Sequence, residues 1–235
     1  MKIDRRTFLS AGCGVGLATR WENQVAGAEP FREIVPEGLR KSDLPTPALC
    51  VDLDLFEANL KTMADHCRQA GCGFRPHAKT HKCPEIAKRQ VAAGAVGVCV
   101  ATVPEAEAMV AAGIAGVLLT SPIVEPGKIG RMIELIRTGG KVMLAVGHAR
   151  EVELLADGAK AGRVTVDVLV DVDVGDRRTG ILTGQPALEL ARLIAKHSSL
   201  RIRGVQAYAG LASHVVGFEA RERTSREVMA KAVET

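Results

Sequence analysis

Residues 91–119 read VAAGAVGVCVATVPEAEAMVAAGIAGVLL, and the phrase VAAGAVGV at 91–98 returns as VAAGIAGV at 110–117. Each copy holds the end of a helical pattern, a glycine, and the start of an apolar strand-like run. Gly94 and Gly113 sit where a helix closes in a left-handed cap, and Gly139 repeats the signal further on. The alternation continues in both directions. Strand candidates begin near Phe74, Gly97, Gly116, Lys141, Val164 and Leu200, at intervals of 19 to 25 residues with one longer gap. Between them lie helical stretches such as PEIAKRQVAAG, PGKIGRMIELIRTGG and QPALELARLIAKH. Strands and helices alternating at this spacing require parallel pairing through right-handed crossovers. An open nucleotide-binding sheet would carry a glycine-rich turn after its first strand, but that position holds RPHAKTHK and no G-x-G-x-x-G occurs. The expected fold class is therefore α/β, a (β/α)8 TIM-type barrel that is incomplete, with about six β/α units. Six units leave sheet edges open, so the chain is expected to be a C-terminally truncated barrel that stops inside its sixth helix.

Upstream of the repeats, Leu44-Pro45-Thr46-Pro47 opens the domain and ALCVDL (48–53) reads as a short strand. A helix then follows, with Asp54 as its cap and Glu57 completing a capping-box pattern. It carries Leu55, Leu60, Met63 and Ala64 on one face and ends near Gly71. The expected organisation is a signal over 1–28, a linker over 29–43 and the barrel domain over 44–235.

The chain has 235 residues, 47% hydrophobic and 25% charged, which describes a globular protein rather than a disordered or fibrous one. The first 28 residues, with Lys2, Arg5, Arg6 and Arg20 against Asp4 and Glu22, account for two of the four net positive charges. What remains has no clustered basic face and few aromatics, so nucleic acid is not an expected partner. No run of 18 apolar residues exists, so no membrane span is expected in the mature protein. The opening MKIDRRTFLSAGCGVGLATRWENQVAGA resembles a twin-arginine export signal, with Arg5-Arg6 before Phe8-Leu9, a short apolar core and Ala26-Gly27-Ala28 for cleavage. That resemblance implies a periplasmic protein exported already folded. Five cysteines follow the signal (Cys50, Cys67, Cys72, Cys83 and Cys99), none at C-x-x-C spacing. They are expected to be buried or half-buried thiols with at most one disulfide, and His66-Cys67 with Cys72 lacks the second ligand pair of a metal site.

The chemistry is expected in GFRPHAKTHK. On a strand, Arg75, His77 and Lys79 share a face, with Lys79 nearest the C-terminal end where barrel sites are built. Burial beside Arg75 or His77 would depress the lysine pKa and leave a nucleophilic amine suited to a Schiff base. By itself the pattern equally suits a solvated lysine in a basic loop. Asp167, Asp171 and Asp173 alternate with valines on one strand face, as metal ligands or as barrel charges set against arginines. His81 could assist proton transfer or simply face water, and His148, His197 and His214 suit surface or core positions.

DLPTPALCVDLD, RPHAKTHKCPEI and GVCVAT-x-x-EAE-x-M-x-AAGI together resemble the fold-type III pyridoxal-phosphate enzymes. Within them the chain is most similar to D-threonine aldolase and D-serine dehydratase, relatives of the alanine racemase N-terminal domain, from about Leu44 to Ser213. The resemblance implies that Lys79 holds pyridoxal 5'-phosphate as an internal aldimine and acts as base at the substrate Cα. It implies that His77 belongs to the cofactor site. Asp173-Val174-Gly175-Asp176-Arg177-Arg178-Thr179-Gly180 matches the D-x-G-x-x-R-x-G turn, so Arg178 would approach the cofactor's phenolic oxygen, with Arg177 in solvent. GVQAYAG at 204–210 places Tyr208 toward the pyridine ring, although a core tyrosine is the plainer reading. The implied function is a lyase acting on D-β-hydroxy-α-amino acids, such as D-threonine cleaved to glycine and acetaldehyde. Alternatives are a D-serine dehydratase-like enzyme or a non-catalytic pyridoxal-phosphate-binding single barrel. Relatives form homodimers, cradle the phosphate in a glycine-rich loop and hold a divalent metal in an appended β-domain. Nothing after Gly210 resembles either, so no metal ligand is assigned and the chain alone is expected not to turn over.

Overall fold

The computed structural model describes residues 39–235, in two units that meet between Val51 and Asp52. The expected export signal over 1–28, with Cys13, and the expected linker up to residue 38 lie outside the described residues. In the first unit, residues 39–51 hold one 3-10 turn, Lys41–Asp43, where the Asp43 carboxylate accepts the Arg40 N–H at 3.2 Å. The strand expected over ALCVDL does not form: residues 48–51 pair with nothing and Leu49 is fully exposed. An apolar run makes a strand only where a neighbouring strand completes its ladder.

The second unit opens with α1 (Leu53–Gln69). Its cap is Asp52, not Asp54: Asp52 Oδ1 accepts the Leu55 N–H at 3.0 Å, and Asp54 lies in the first turn, where a negative charge suits the helix dipole. Only Leu60 and Ala64 of the expected face are buried; Leu55 and Met63 face solvent. The helix closes at left-handed Gly71 (φ 67°), with Gly71 N–H donating to Arg68 O and Cys72 N–H to Cys67 O. Those two bonds together make a Schellman cap.

From there strands and helices alternate: α2 (Pro84–Ala92), β1 (Cys99–Val100), α3 (Val103–Ala111), β2 (Val117–Leu119), α4 (Pro126–Arg137), β3 (Val142–Val146), α5 (Ala149–Ala161) and β4 (Val166–Asp173). Then come β5 (Ile181–Leu182), α6 (Gln185–Ala195), β6 (Leu200–Ala207) and α7 (Phe218–Val233). All pairings are parallel, in the order β1-β2-β3-β4, with β6 and the short β5 both on β4. Cys99 stands opposite Leu118, Val117 opposite Val142, and Met143 opposite Asp167. This is the expected α/β order, and the left-handed glycines 94, 113 and 139 end α2, α3 and α4 as expected. Two details differ. The strand expected at Phe74 is reduced to one bridge, His77 to Cys99, and β5 was not foreseen.

The core lies between the sheet and its helices. All three β2 residues are buried, as a parallel strand covered on both faces requires. Met109, Met132, Leu155 and Ile194 from α3 to α6 pack against Leu119, Leu144 and Val166, each almost fully removed from water. At about 1.5–3 kcal/mol per large buried side chain, this layer holds the strand ends in fixed positions.

Candidate functional site

The strands deliver their C-terminal ends to one cavity of about 330 Å3. Its wall takes Arg75, His77 and Lys79 from the segment beside β1, Cys99 from β1 and Ala101 just after it. Thr120 and Ser121 follow β2, Arg178 and Thr179 follow β4, and Gln206 to Tyr208 end β6.

Lys79 does not continue a strand. It sits in the 3-10 turn Ala78–Thr80, because His77 Nδ1 accepts the Lys79 N–H at 3.3 Å and so draws the backbone out of the ladder. Its side chain is exposed at the cavity mouth, as in the solvated-loop alternative, and not buried as an extended strand carrying it inward would require. His77 Nε2 lies 3.2 Å from Thr120 Oγ1, whose own proton goes to Val100 O at 3.1 Å. The hydroxyl can therefore only accept, so Nε2 carries the proton and Nδ1 receives the Lys79 N–H. That is the neutral imidazole. Burial, and then the Lys79 charge, hold its pKa below the ordinary value, with Glu105 opposing.

The turn is pinned on its far side as well. Glu105, at the start of α3, accepts the Ala101 N–H at 2.8 Å and pairs with Lys82 at 3.5 Å. His81 points away from the cavity: its Nδ1 accepts the Cys83 N–H at 3.0 Å where α2 begins. Its Nε2 is buried against the Gln90 side chain; burial lowers the His81 pKa and Gln90 opposes the shift. The proton-transfer role weighed for His81 is therefore unsupported. Arg75 donates from beneath the cavity to Gly116 O.

Opposite Lys79, Asp173 Oδ1 accepts the N–H groups of Gly175 and Arg177, which folds the residues after β4 into a tight turn. Gly180 closes it at φ 93°, where a Cβ would stand 2.7 Å from the backbone of Asp173 and Val172. The turn leaves Arg177 in solvent and brings the Arg178 guanidinium to 5.9 Å from the Tyr208 ring centroid. Tyr208 is half exposed at the cavity rim rather than a core tyrosine. Asp176 joins the two elements: its carboxylate oxygens accept the Gly210 and Leu211 N–H groups, each at 2.9 Å.

The three aspartates of β4 serve separate ends. Asp167 pairs with Arg201 at 2.6 Å and Arg203 at 3.7 Å, and Asp173 shapes the turn. Asp171, 3% exposed, accepts from Gln206 Nε2 at 2.8 Å and from the Thr179 hydroxyl, and burial pushes its pKa up. Among the described residues no group of three His, Cys, Asp or Glu side chains could hold a metal ion. His148 caps α5, and neither it nor His197 nor His214 lines the cavity. Residue-level reading missed Thr120, Ser121, Thr179, Gln206 and Asp176. The polar pair ending GVLLTS, directly after an apolar run, was the available signal for the first two.

Arg75, Lys79 and Arg178 give the cavity a positive character, with one primary amine at its mouth and one aromatic ring at its rim. This donor set suits a small anionic aromatic aldehyde, and the volume is at the lower end for a ligand pocket. The set therefore fits pyridoxal phosphate.

Residues 51–235 match the family model described as alanine racemase, N-terminal domain. The chain is 36% identical over 186 residues to a 3-hydroxy-D-aspartate aldolase of Paracoccus denitrificans, covering 79% of this chain and 48% of that protein. It is 37% identical over 182 residues to a D-threonine aldolase of an Arthrobacter species, covering 77% and 48%. It thus spans about half the length of the curated relatives it matches. The crystal structure of D-threonine aldolase from Filomicrobium marinum superposes with a TM-score of 0.80 at 39% identity, covering 83% of this chain and 53% of that one. With the parallel sheet, the lysine turn and these likenesses together, the chain belongs to the alanine racemase N-terminal domain family of fold-type III pyridoxal-phosphate enzymes.

Proposed function

We propose that this chain provides the lysine-bearing barrel portion of a pyridoxal-phosphate-dependent lyase acting on D-β-hydroxy-α-amino acids. Cleavage of D-threonine to glycine and acetaldehyde is the reaction assigned to it. The observation that carries the reading is the convergence of Lys79, Arg178 and Tyr208 on one positively charged cavity at the strand C-termini. When bound, the cofactor supplies an aldehyde and an electron-withdrawing ring that lowers the barrier to breaking bonds at the substrate Cα.

Lys79 is the amine that holds the cofactor and the base that moves a proton at Cα. Its backbone is fixed by His77, whose neutral ring is committed on both nitrogens and so orients the lysine turn rather than serving as a base. Arg178 would hold an anionic ring oxygen of the cofactor, and Tyr208 beside it would offer a neutral partner that limits electron withdrawal. The described residues do not fit a divalent metal, and no step is assigned to one. A small D-amino acid is the proposed substrate, and a second copy of the chain the proposed partner.

Incubation with pyridoxal phosphate, borohydride reduction and peptide mapping test the reading. Label confined to Lys79, and lost in Lys79→Arg, supports it; scattered label overturns it. Acetaldehyde from D-threonine distinguishes an aldolase from a dehydratase that releases pyruvate and ammonia from D-serine. Label without either product leaves the lysine assignment standing and the reaction unassigned. Export through the twin-arginine route is proposed from Arg5-Arg6 alone, and replacing both with lysine should retain the protein in the cytoplasm on fractionation.

A further inference from the structure

All five cysteines among the described residues are free, and two of them share one local motif. In the Schellman cap that ends α1, Cys67 is the third residue from the helix end and Cys72 the second beyond it, the pair whose side chains this cap brings into contact. The Cys72 N–H to Cys67 O bond, at 3.0 Å, fixes their backbones side by side, and left-handed Gly71 (φ 67°) holds the reversal between them. Burial, and then the neighbouring Cys72 thiol, raise the Cys67 pKa. Cys72 is exposed and Cys67 half-buried, so an attacking reagent meets Cys72 first.

We propose that Cys67 and Cys72 are a redox-active dithiol that closes to an intramolecular disulfide by exchange with a small-molecule disulfide. The Cys72 thiolate attacks one sulfur of that oxidant and expels the other half as a thiolate. Cys67, deprotonated, then attacks the Cys72 sulfur of the mixed disulfide and releases the second half. The cysteines lose two protons and two electrons, and one oxidant disulfide becomes two thiols. Two residues separate Cys72 from cavity-lining Arg75, so the bond would tether the start of the segment carrying His77 and Lys79 to the end of α1. The inference stands on the helix cap and is independent of the lyase reading.

The full chain, treated with oxidised glutathione, alkylated and cut with trypsin, tests it. Cleavage after Arg68 separates the cysteines, and Pro76 protects the bond after Arg75, so the expected product is residues 62–68 joined to residues 69–79, lighter by two hydrogens. Cys50, Cys83 and Cys99 should emerge alkylated. Gly71→Ala keeps both thiols but strains the left-handed cap, and should lower the bridged fraction several-fold at equal oxidant. Glutathione retained on Cys72, covalent dimers through Cys72, or full alkylation of both residues would each overturn the proposal. So would bridging that is indifferent to Gly71→Ala.

Discussion

Asp176 accepts two consecutive backbone N–H groups, so its loss strands two donors at once, one of them on buried Gly210. Asp176→Ala should cost about 1–3 kcal/mol in urea unfolding, the range for leaving buried polar groups unsatisfied. It should also lower the yield of reduced cofactor adduct at Lys79, because Arg178 and Tyr208 no longer share one anchor. Asp176→Asn keeps a carbonyl acceptor and should recover part of both losses. His77 makes a pH prediction. Its folded pKa is lowered, so the unfolded chain binds the extra proton first; the stability it lends is complete above about pH 6.5 and is lost as pH falls through the folded value. His81 is shifted the same way. Melting temperature should therefore fall on acidification below about pH 6.5, and His77→Gln should flatten part of that fall. An unchanged slope would show that His77 binds its proton equally well in the folded and unfolded chain.

The turn between β4 and β5 depends on one glycine more than on another. Gly180 combines a φ of 93° with backbone atoms 2.7 Å from a virtual Cβ, whereas Gly175, at φ 131°, would meet only the Lys231 ammonium at 3.6 Å. Gly180→Ala should cost more than Gly175→Ala, on the order of 1–3 kcal/mol beyond it, and equal midpoints in denaturant would refute the difference. At this scale much of the fold was legible. Helix ends are written in glycines 94, 113 and 139, and strands in β-branched runs, because both signals are local. The lysine turn was not legible as a turn, since a single side-chain bond from His77 decides it against the strand pattern. β5 pairs over only two residues, too few to leave a pattern. The helix cap shifted from Asp54 to Asp52, because either aspartate could serve and the geometry of the incoming chain selects. In the candidate site, Lys79, His77, Arg178 and Tyr208 were found by motif. Gln206 and Asp176 act through contacts 34 or 35 residues away along the chain, and Thr179 through a contact to Asp171 that only the folded turn creates, so none carries a local mark.

Over the whole molecule, cavity charge should govern cofactor capture. Three cations face a ligand that carries a phosphate, so the adduct yield should fall as sodium chloride rises from about 0.05 to about 0.5 M, and the fall should be shallower with unphosphorylated pyridoxal. Equal slopes for the two aldehydes would place the phosphate outside this field. The sheet has its own large-scale consequence. Among the described strands β6 pairs only with β4, and Ile202 and Val205 on it are exposed. Arg201 and Arg203 flank Ile202 and share the single Asp167 carboxylate, which leaves one net positive charge on this stretch, and like charges on adjoining copies repel. The molecule therefore carries a built-in brake on stacking whose strength depends on solvent ions: dilute buffer keeps copies apart, while concentrated salt releases the brake and favours ribbon-like association along that strand.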